Sequence, residues 1–347
     1  MLKHLRYDQH RKQHSELNSL IATRTPLCDA LPNLVPDDKT KKTHIMSILN
    51  LTPDSFSDGG RHAVNDQEYL RKTITSHLQG GATIIDLGAQ SSRPGAPDIT
   101  EEEELERLTP ALEILASLRQ DPSTPPFSIS VDTYRATVAE AAVKAGADIV
   151  NDISAGLLDP NMLPTVARLG CTYIMMHMRG TPHTMSSKKN TTYNRSIPAA
   201  INQELLARVI AAEAAGIRRW RMILDPGIGF AKTADQNLEI LRRFPRFANR
   251  TDTNPSVNAP GRVVDGAYRS LAGIPWLAGS SRKGFIGKIT GVKEASERTW
   301  GTAATVTAAV RGGADIVRVH DVAEMAQVVR MSEAIYRPQR SGTAVEG

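Results

Sequence analysis

The sequence predicts an α/β protein folded as a (β/α)8 barrel, and three observations carry that reading. Eight short runs rich in Ile, Val and other apolar residues are spaced along residues 44–320. They are too densely apolar for simple alternation, which suits parallel strands covered on both faces. Between them lie patterns such as "DQEYLRKTITSHLQ" (66–79) and "AAINQELLARVIAAEAA" (199–215), with apolar residues three and four apart as in helices. Finally, one phrase recurs four times, in "GGATIIDLG" (80–88), "AGADIVNDI" (145–153), "LGCTYIMMH" (169–177) and "GGADIVRVH" (312–320). In each, glycine ends a helix, a short turn follows, and a strand begins. Strand and helix alternating eight times close into a barrel.

Taken in order, the strands begin with "HIMSILN" (44–50), followed by the 80–88 run and "FSISVDT" (127–133). The runs at 145–153 and 169–177 are the fourth and fifth, and "RMILDP" (221–226), "WLAGSSR" (276–282) and the 312–320 run complete the set. Their ends are polar: Asn50, Asp86, Asp132, Asn151, His177, Asp225, Ser281 and the Arg318/His320 pair. In such a barrel these ends converge on the face that carries the active site. Buried carboxylates without partners would cost several kcal/mol each, so a polar ligand is expected there.

The chain has 347 residues, 40% hydrophobic and only 5% aromatic. One barrel of about 250 residues with a flanking N-terminal segment accounts for that length. Residues 1–43 read as a linker or extension, and 44–340 as the barrel, with a long insertion around 241–270 that includes "TDTNPSVNAPGR". A βαβ unit needs only about 30 residues, and this connection runs well past that. No stretch approaches the roughly 18 uninterrupted apolar residues of a membrane helix. The net charge of +5 lies partly in residues 1–43, which hold eight Lys or Arg against five Asp or Glu. The remainder has no long basic run interleaved with aromatics, which argues against a nucleic-acid partner. Cys28 and Cys171 form neither a metal spacing nor a disulfide framework. An intracellular, reducing compartment is expected, the cytoplasm first; the basic "MLKHLRYDQHRKQH" start leaves mitochondria as the second reading.

The strand ends also define what could bind. Asp132, Asn151 and Asp225 supply acceptors, while Lys283 and Arg318 supply donors. Acceptors beside donors suit a flat heterocycle with an amino-amide edge, which a carboxylate grips through two parallel bonds. Asn50, Ser91, Ser92, Arg93, Arg318 and His320 suit an anion, with Mg²⁺ as a metal that favours oxygens and waters. "SSRKGFIG" (280–287) lacks the phosphate-loop pattern, and no HExxH or Cys cluster suggests zinc. The Met-His-Met at 176–178 reads as core and pocket lining.

These residues carry a resemblance. "ILNLTPDSFSDGG", "IDLGAQSSRPGA", "VDT", "NDISAG", "MMHMRGTP", "LDPGIGF", "SSRKGFIG" and "RVHDV" occur in this order through residues 44–335. They resemble the successive motifs of the dihydropteroate synthases, and residues 1–43 resemble the linker ahead of that enzyme in multifunctional fungal folate-synthesis proteins. The resemblance implies a TIM barrel and a transferase. It would join 6-hydroxymethyl-7,8-dihydropterin diphosphate to 4-aminobenzoate, yielding 7,8-dihydropteroate and diphosphate, with Mg²⁺ as cofactor, as a homodimer and sulfonamide target. By the same resemblance Asp132, Asn151, Asp225 and Lys283 hold the pterin edge, and Phe230 and Ser281 line its pocket. Arg318 lies against the ring and reaches the diphosphate with His320, and Asn50 helps bind Mg²⁺. Asp54 in the first loop, and Ser92, Arg93 and Pro94 in the second, enclose aminobenzoate. The chain departs from the family's Gly-Gly-Glu-Ser-Thr-Arg-Pro-Gly at that loop, reading Gly88-Ala89-Gln90-Ser91-Ser92-Arg93-Pro94-Gly95. The rival readings are a methyltetrahydrofolate-binding methyltransferase on a similar barrel and a binding-only paralogue that has lost turnover.

Overall fold

Eight parallel strands close into a barrel in the computed structural model, which describes residues 42–52, 67–91, 96–248, 262–264 and 267–337. In chain order these are β1 (His44–Asn50), α1 (Gln67–Gln79), β2 (Ile84–Gly88), α2 (Glu101–Arg119), β3 (Ser128–Asp132), α3 (Ala136–Lys144), β4 (Ile149–Asp152), α4 (Met162–Leu169) and β5 (Thr172–Met176). There follow α5 (Lys188–Thr191), α6 (Ile197–Ala214), β6 (Met222–Asp225), α7 (Ala234–Arg242), α8 (Pro245–Ala248) and a hairpin of β7 (Arg262–Val264) and β8 (Ala267–Arg269). The chain continues through β9 (Leu277–Ala278), α9 (Gly284–Thr290), α10 (Thr299–Arg311), β10 (Ile316–Val319) and α11 (Val322–Tyr336). The barrel order runs β6-β5-β4-β3-β2-β1-β10-β9, and a parallel bridge from Leu224 to Trp276 closes the ring.

The four repeated phrases behave as the sequence predicts. Gly81, Gly146, Gly170 and Gly313 all take positive φ between a helix and the strand it feeds. That backbone region is cheap only for glycine. The predicted run 276–282 contributes just two strand residues, Leu277 and Ala278. Beyond them the chain leaves the ladder to place Ser281 and Lys283 at the mouth.

Two cores sit on either side of the strands. Inside, Met46, Ile84, Ile149, Ile174, Ile223, Leu277 and Ile316 form one apolar layer. Register explains it: Met46 pairs with Ile84, Ile174 with Ile223, and Ile316 with Leu277. Outside, each helix buries one stripe, as α1 does with Leu70, Ile74 and Leu78 four residues apart. Two residues further along each strand the period of two turns the next side chain inward again. Those next residues include Asp86, Asn151, Asp225 and Arg318. The apolar layer is therefore the floor of a polar cup at the C-terminal ends.

Candidate active site

Arg318 crosses the mouth of the barrel and organises it. Its Nε donates to Asp86 Oδ2 and its Nη2 to Asp132 Oδ2, each at 2.6 Å. Ser130 Oγ donates to Asp86 Oδ1 at 2.6 Å, and Asn151 Nδ2 to Asp86 Oδ2 at 3.2 Å. Strands β2, β3, β4 and β10 are thus joined through one buried carboxylate. Burial raises the Asp132 carboxyl to about 7, against the pull of Arg318. Arg318 itself is held above its ordinary value because Asp86 and Asp132 outweigh the cost of burial.

Opposite stands Asp225, buried at the end of β6. Its Oδ1 accepts the Gly227 N–H at 2.7 Å, a turn that the sequence "DPG" encodes. Gly227 has φ +68, and a Cβ there would lie 2.0 Å from the His177 carbonyl oxygen, so only glycine fits. Burial raises the Asp225 carboxyl, with the Gly227 N–H and Lys283 working against the rise. Lys283 Nζ sits 4.2 Å from the centre of the Phe230 ring. Burial and Arg318 lower its ammonium to about 8, so at neutral pH it remains a donor. At the junction of β9 and β10, Ser281 Oγ lies 3.0 Å from His320 Nδ1 and accepts the His320 backbone N–H at 3.2 Å.

The sequence-predicted residues Asn50, Asp132, Asn151, Asp225, Phe230, Ser281, Lys283, Arg318 and His320 all lie on this end of the barrel. Asp54, Ser92, Arg93 and Pro94 lie outside the described residues, as do residues 1–41 and 249–261. One expected strand end is corrected. Ile174 and Met176 face inward, so His177 falls on the opposite parity. Its ring leaves the cup for Glu204 on α6 and for Lys232.

Four further residues shape the site beyond those assigned to it from sequence. Asp86, a strand end with no assigned role, is the hub for Arg318. Lys232 and Glu204 hold the two turns behind Asp225 through His177. Gln90, where the family carries Glu, spans the base of the second loop: its Nε2 donates to the Ser91 and Pro97 carbonyls and its Oε1 accepts from the Ile99 N–H. A carboxylate could not make the two donations.

A pair of acids, an amide, a lysine and an arginine around a cup can hold a flat heterocycle by its polar edge and an anion at the rim. Among the described residues no three His, Cys, Asp or Glu gather into a metal cage. None of the described helices is long and apolar enough to cross a membrane.

Comparison with known proteins agrees with this geometry. Residues 46–320 match the family described as pterin binding enzyme. The chain is 43% identical over 317 residues to the dihydropteroate synthase of Synechocystis sp., covering 90% of this chain and 98% of that one. It is 45% identical over 306 residues to the mitochondrial folate synthesis bifunctional protein of Arabidopsis thaliana, covering 88% of this chain but 51% of that relative, and so spans about half its length. Among solved structures, the dihydropteroate synthase of Clostridium difficile, determined in the presence of pteroic acid, superposes with a TM-score of 0.71 at 35% identity. That match covers 86% of this chain and 98% of the other.

Proposed function

We infer that this chain, which belongs to the pterin-binding enzymes and among them to the dihydropteroate synthases, joins 6-hydroxymethyl-7,8-dihydropterin diphosphate to 4-aminobenzoate. The observation that carries the reading is the cup itself: Asp132, Asn151, Asp225 and Lys283 ring a buried floor, with Arg318 across its mouth and His320 at its edge. The Asp225 carboxylate accepts from the amino-amide edge of the pterin, and Lys283 donates to its carbonyl. Asp132 and Asn151 hold the far side of the ring. Phe230, fixed beneath Lys283, lines the pocket.

Reaction requires the C–O bond to the diphosphate to break, with its electron pair leaving on oxygen. Arg318 and His320 stand where that charge develops. The arylamine nitrogen, already neutral at pH 7, bonds to the freed carbon and then loses a proton, so no strong general base is required. Asp54, Ser92, Arg93 and Pro94 enclose aminobenzoate in this proposal. Asn50 fits Mg²⁺ of the kind that travels with a diphosphate and keeps most of its waters: its Oδ1 lies beside Gly88 at the mouth, 3.5 Å from the place of a Gly88 Cβ. When bound, the ion supplies charge neutralisation of the leaving group.

The test is continuous detection of diphosphate with each substrate omitted in turn. Release only with both present is expected. Tight pterin binding without release would leave a binding-only paralogue, and methyl transfer from methyltetrahydrofolate would favour the methyltransferase.

The assembly proposed is a homodimer through the ends of α9 and α10. Trp300 is 87% exposed and Ile289 56%. Gly301, next to Trp300, packs on Ile286 and Thr290 of α9, the helix that also carries Ile289. Two such apolar patches complete one another across a two-fold axis. Sedimentation is expected to give the dimer mass for the native chain and the monomer mass for Trp300→Glu; a native monomer would refute it. In keeping with a reducing compartment, Cys171 is buried, and burial pushes its thiol up to about 11.

A further inference from the structure

Behind the pterin cup lies a set of charged groups that the reaction does not use. The turns after β5 and β6 meet there, and the His177 backbone N–H donates to the Asp225 carbonyl at 2.9 Å. The buried His177 ring has Nε2 3.0 Å from Glu204 Oε2 and Nδ1 3.0 Å from Lys232 Nζ. Lys232 Nζ also donates to the Phe230 carbonyl at 2.8 Å and to the His177 carbonyl at 3.3 Å. Three ammonium hydrogens therefore meet three acceptors. On the outer side Arg179 pairs with Glu204 and lies 3.9 Å over the Tyr193 ring.

We infer that Lys232 is a positioning residue of the pterin pocket, tying the turn after β5 to the turn after β6 so that Phe230 and Asp225 keep their places. The inference rests on the pterin-binding reading given above. Lys232 acts through two carbonyls. One belongs to Phe230, whose ring lies under the substrate-holding Lys283. The other belongs to His177, whose oxygen faces Gly227 in the turn that supplies Asp225 with its N–H.

The electrostatics show why a lysine is informative at this point. Burial lowers the Lys232 ammonium to about 7, Asp225 and Glu204 oppose that drop, and Arg179 and Lys283 reinforce it. Burial and Lys232 also lower His177, to about 4, so its ring is neutral. The two neighbours then fix the tautomer: Nε2–H donates to the Glu204 carboxylate, and Nδ1 accepts from Lys232. An apolar side chain could fill the same space with no charge to desolvate. What it could not do is bond three acceptors on two different turns.

The experiment compares Lys232→Met and Lys232→Ala with the native chain. The probes are 6-hydroxymethylpterin for binding and the two substrates for kinetics. Loss of the Lys232 donor from the Phe230 carbonyl should raise the pterin Kd and the KM for pterin diphosphate about tenfold. The KM for 4-aminobenzoate should stay within about twofold. Methylammonium should restore pterin affinity in Lys232→Ala, where there is room for it, and not in Lys232→Met. Native pterin affinity in Lys232→Met would overturn the inference. So would equal rises in both KM values with a lowered Tm and no rescue, because that is general loosening. Failure of the native chain itself to bind the pterin would overturn the underlying reading and this inference with it.

Discussion

Asp225→Asn is expected to weaken pterin binding by a factor of about 100 to 1,000 while leaving the barrel folded. The carboxylate of Asp225 is placed to accept two parallel hydrogen bonds from the amino-amide edge, and such charge-assisted bonds are worth about 1.5–3 kcal/mol each. Asparagine keeps one oxygen, which can continue to accept the Gly227 N–H now at 2.7 Å. Its other terminus becomes a donor facing a donor. The net loss of about 3–4 kcal/mol gives the stated factor. Stability should move the other way or not at all. Burial raises the native Asp225 carboxyl above its unfolded value, so at pH 7 ionisation of this group works against folding. Neutral asparagine removes that cost. Calorimetric titration with a pterin analogue, beside a thermal melt, checks both halves. Native affinity in the variant would remove Asp225 from the pterin edge, and a collapse in Tm would make its role structural.

Most of the barrel was legible because parallel strands and their caps leave strong local marks. Strand β1 begins and ends where the apolar run does, at His44 and Asn50. The recurring glycines mark where each helix must turn into the next strand. Strand β9 was overread: apolar content extends from Trp276, but the sheet releases the chain after Ala278. The site was legible as a set of strand ends, and less so as a set of contacts. His177 could have been placed outside the cup from parity alone, since its neighbour Met176 faces in. The Asp86–Arg318 pair could not, because the two are separated by 232 residues and only barrel closure brings β10 beside β1, one strand away from β2. The same holds for Lys232, whose partner His177 comes from another strand end and is itself held by Glu204 from another helix. Gln90 shows the converse: a substitution that looks like a lost charge becomes a tie across the base of a loop once Pro97 and Ile99 are in view.

Arg318→Met should abolish turnover and destabilise the protein by an amount that grows with pH. Removing one partner of a buried ion pair typically costs about 3–5 kcal/mol, because a charge is left without compensation. Here one guanidinium serves two carboxylates at 2.6 Å, so the upper part of that range is expected near pH 8. Asp86 would retain Ser130 and Asn151 as donors. Asp132 would keep only Lys283 among the cations that pull its carboxyl down. Burial already raises Asp132 to about 7 with Arg318 present, and without Arg318 it must rise further. An unfolded aspartate titrates near 3.9. Between roughly pH 4 and the raised native value, the native state therefore binds more protons than the unfolded state. Stability must then fall as pH rises through that window. In the variant the window extends higher, so the native and variant curves converge at pH 5, where Asp132 is protonated in both folded forms, and separate by pH 8. Urea unfolding at the two pH values measures the separation. A second substitution, Asp132→Asn in the Arg318→Met background, should recover part of the loss at pH 8 and little at pH 5. Turnover should not recover with it, because the cation that meets the departing diphosphate is still missing. A pH-independent loss, or a loss that shrinks toward pH 8, would show that Arg318 does not neutralise Asp132 in the folded protein.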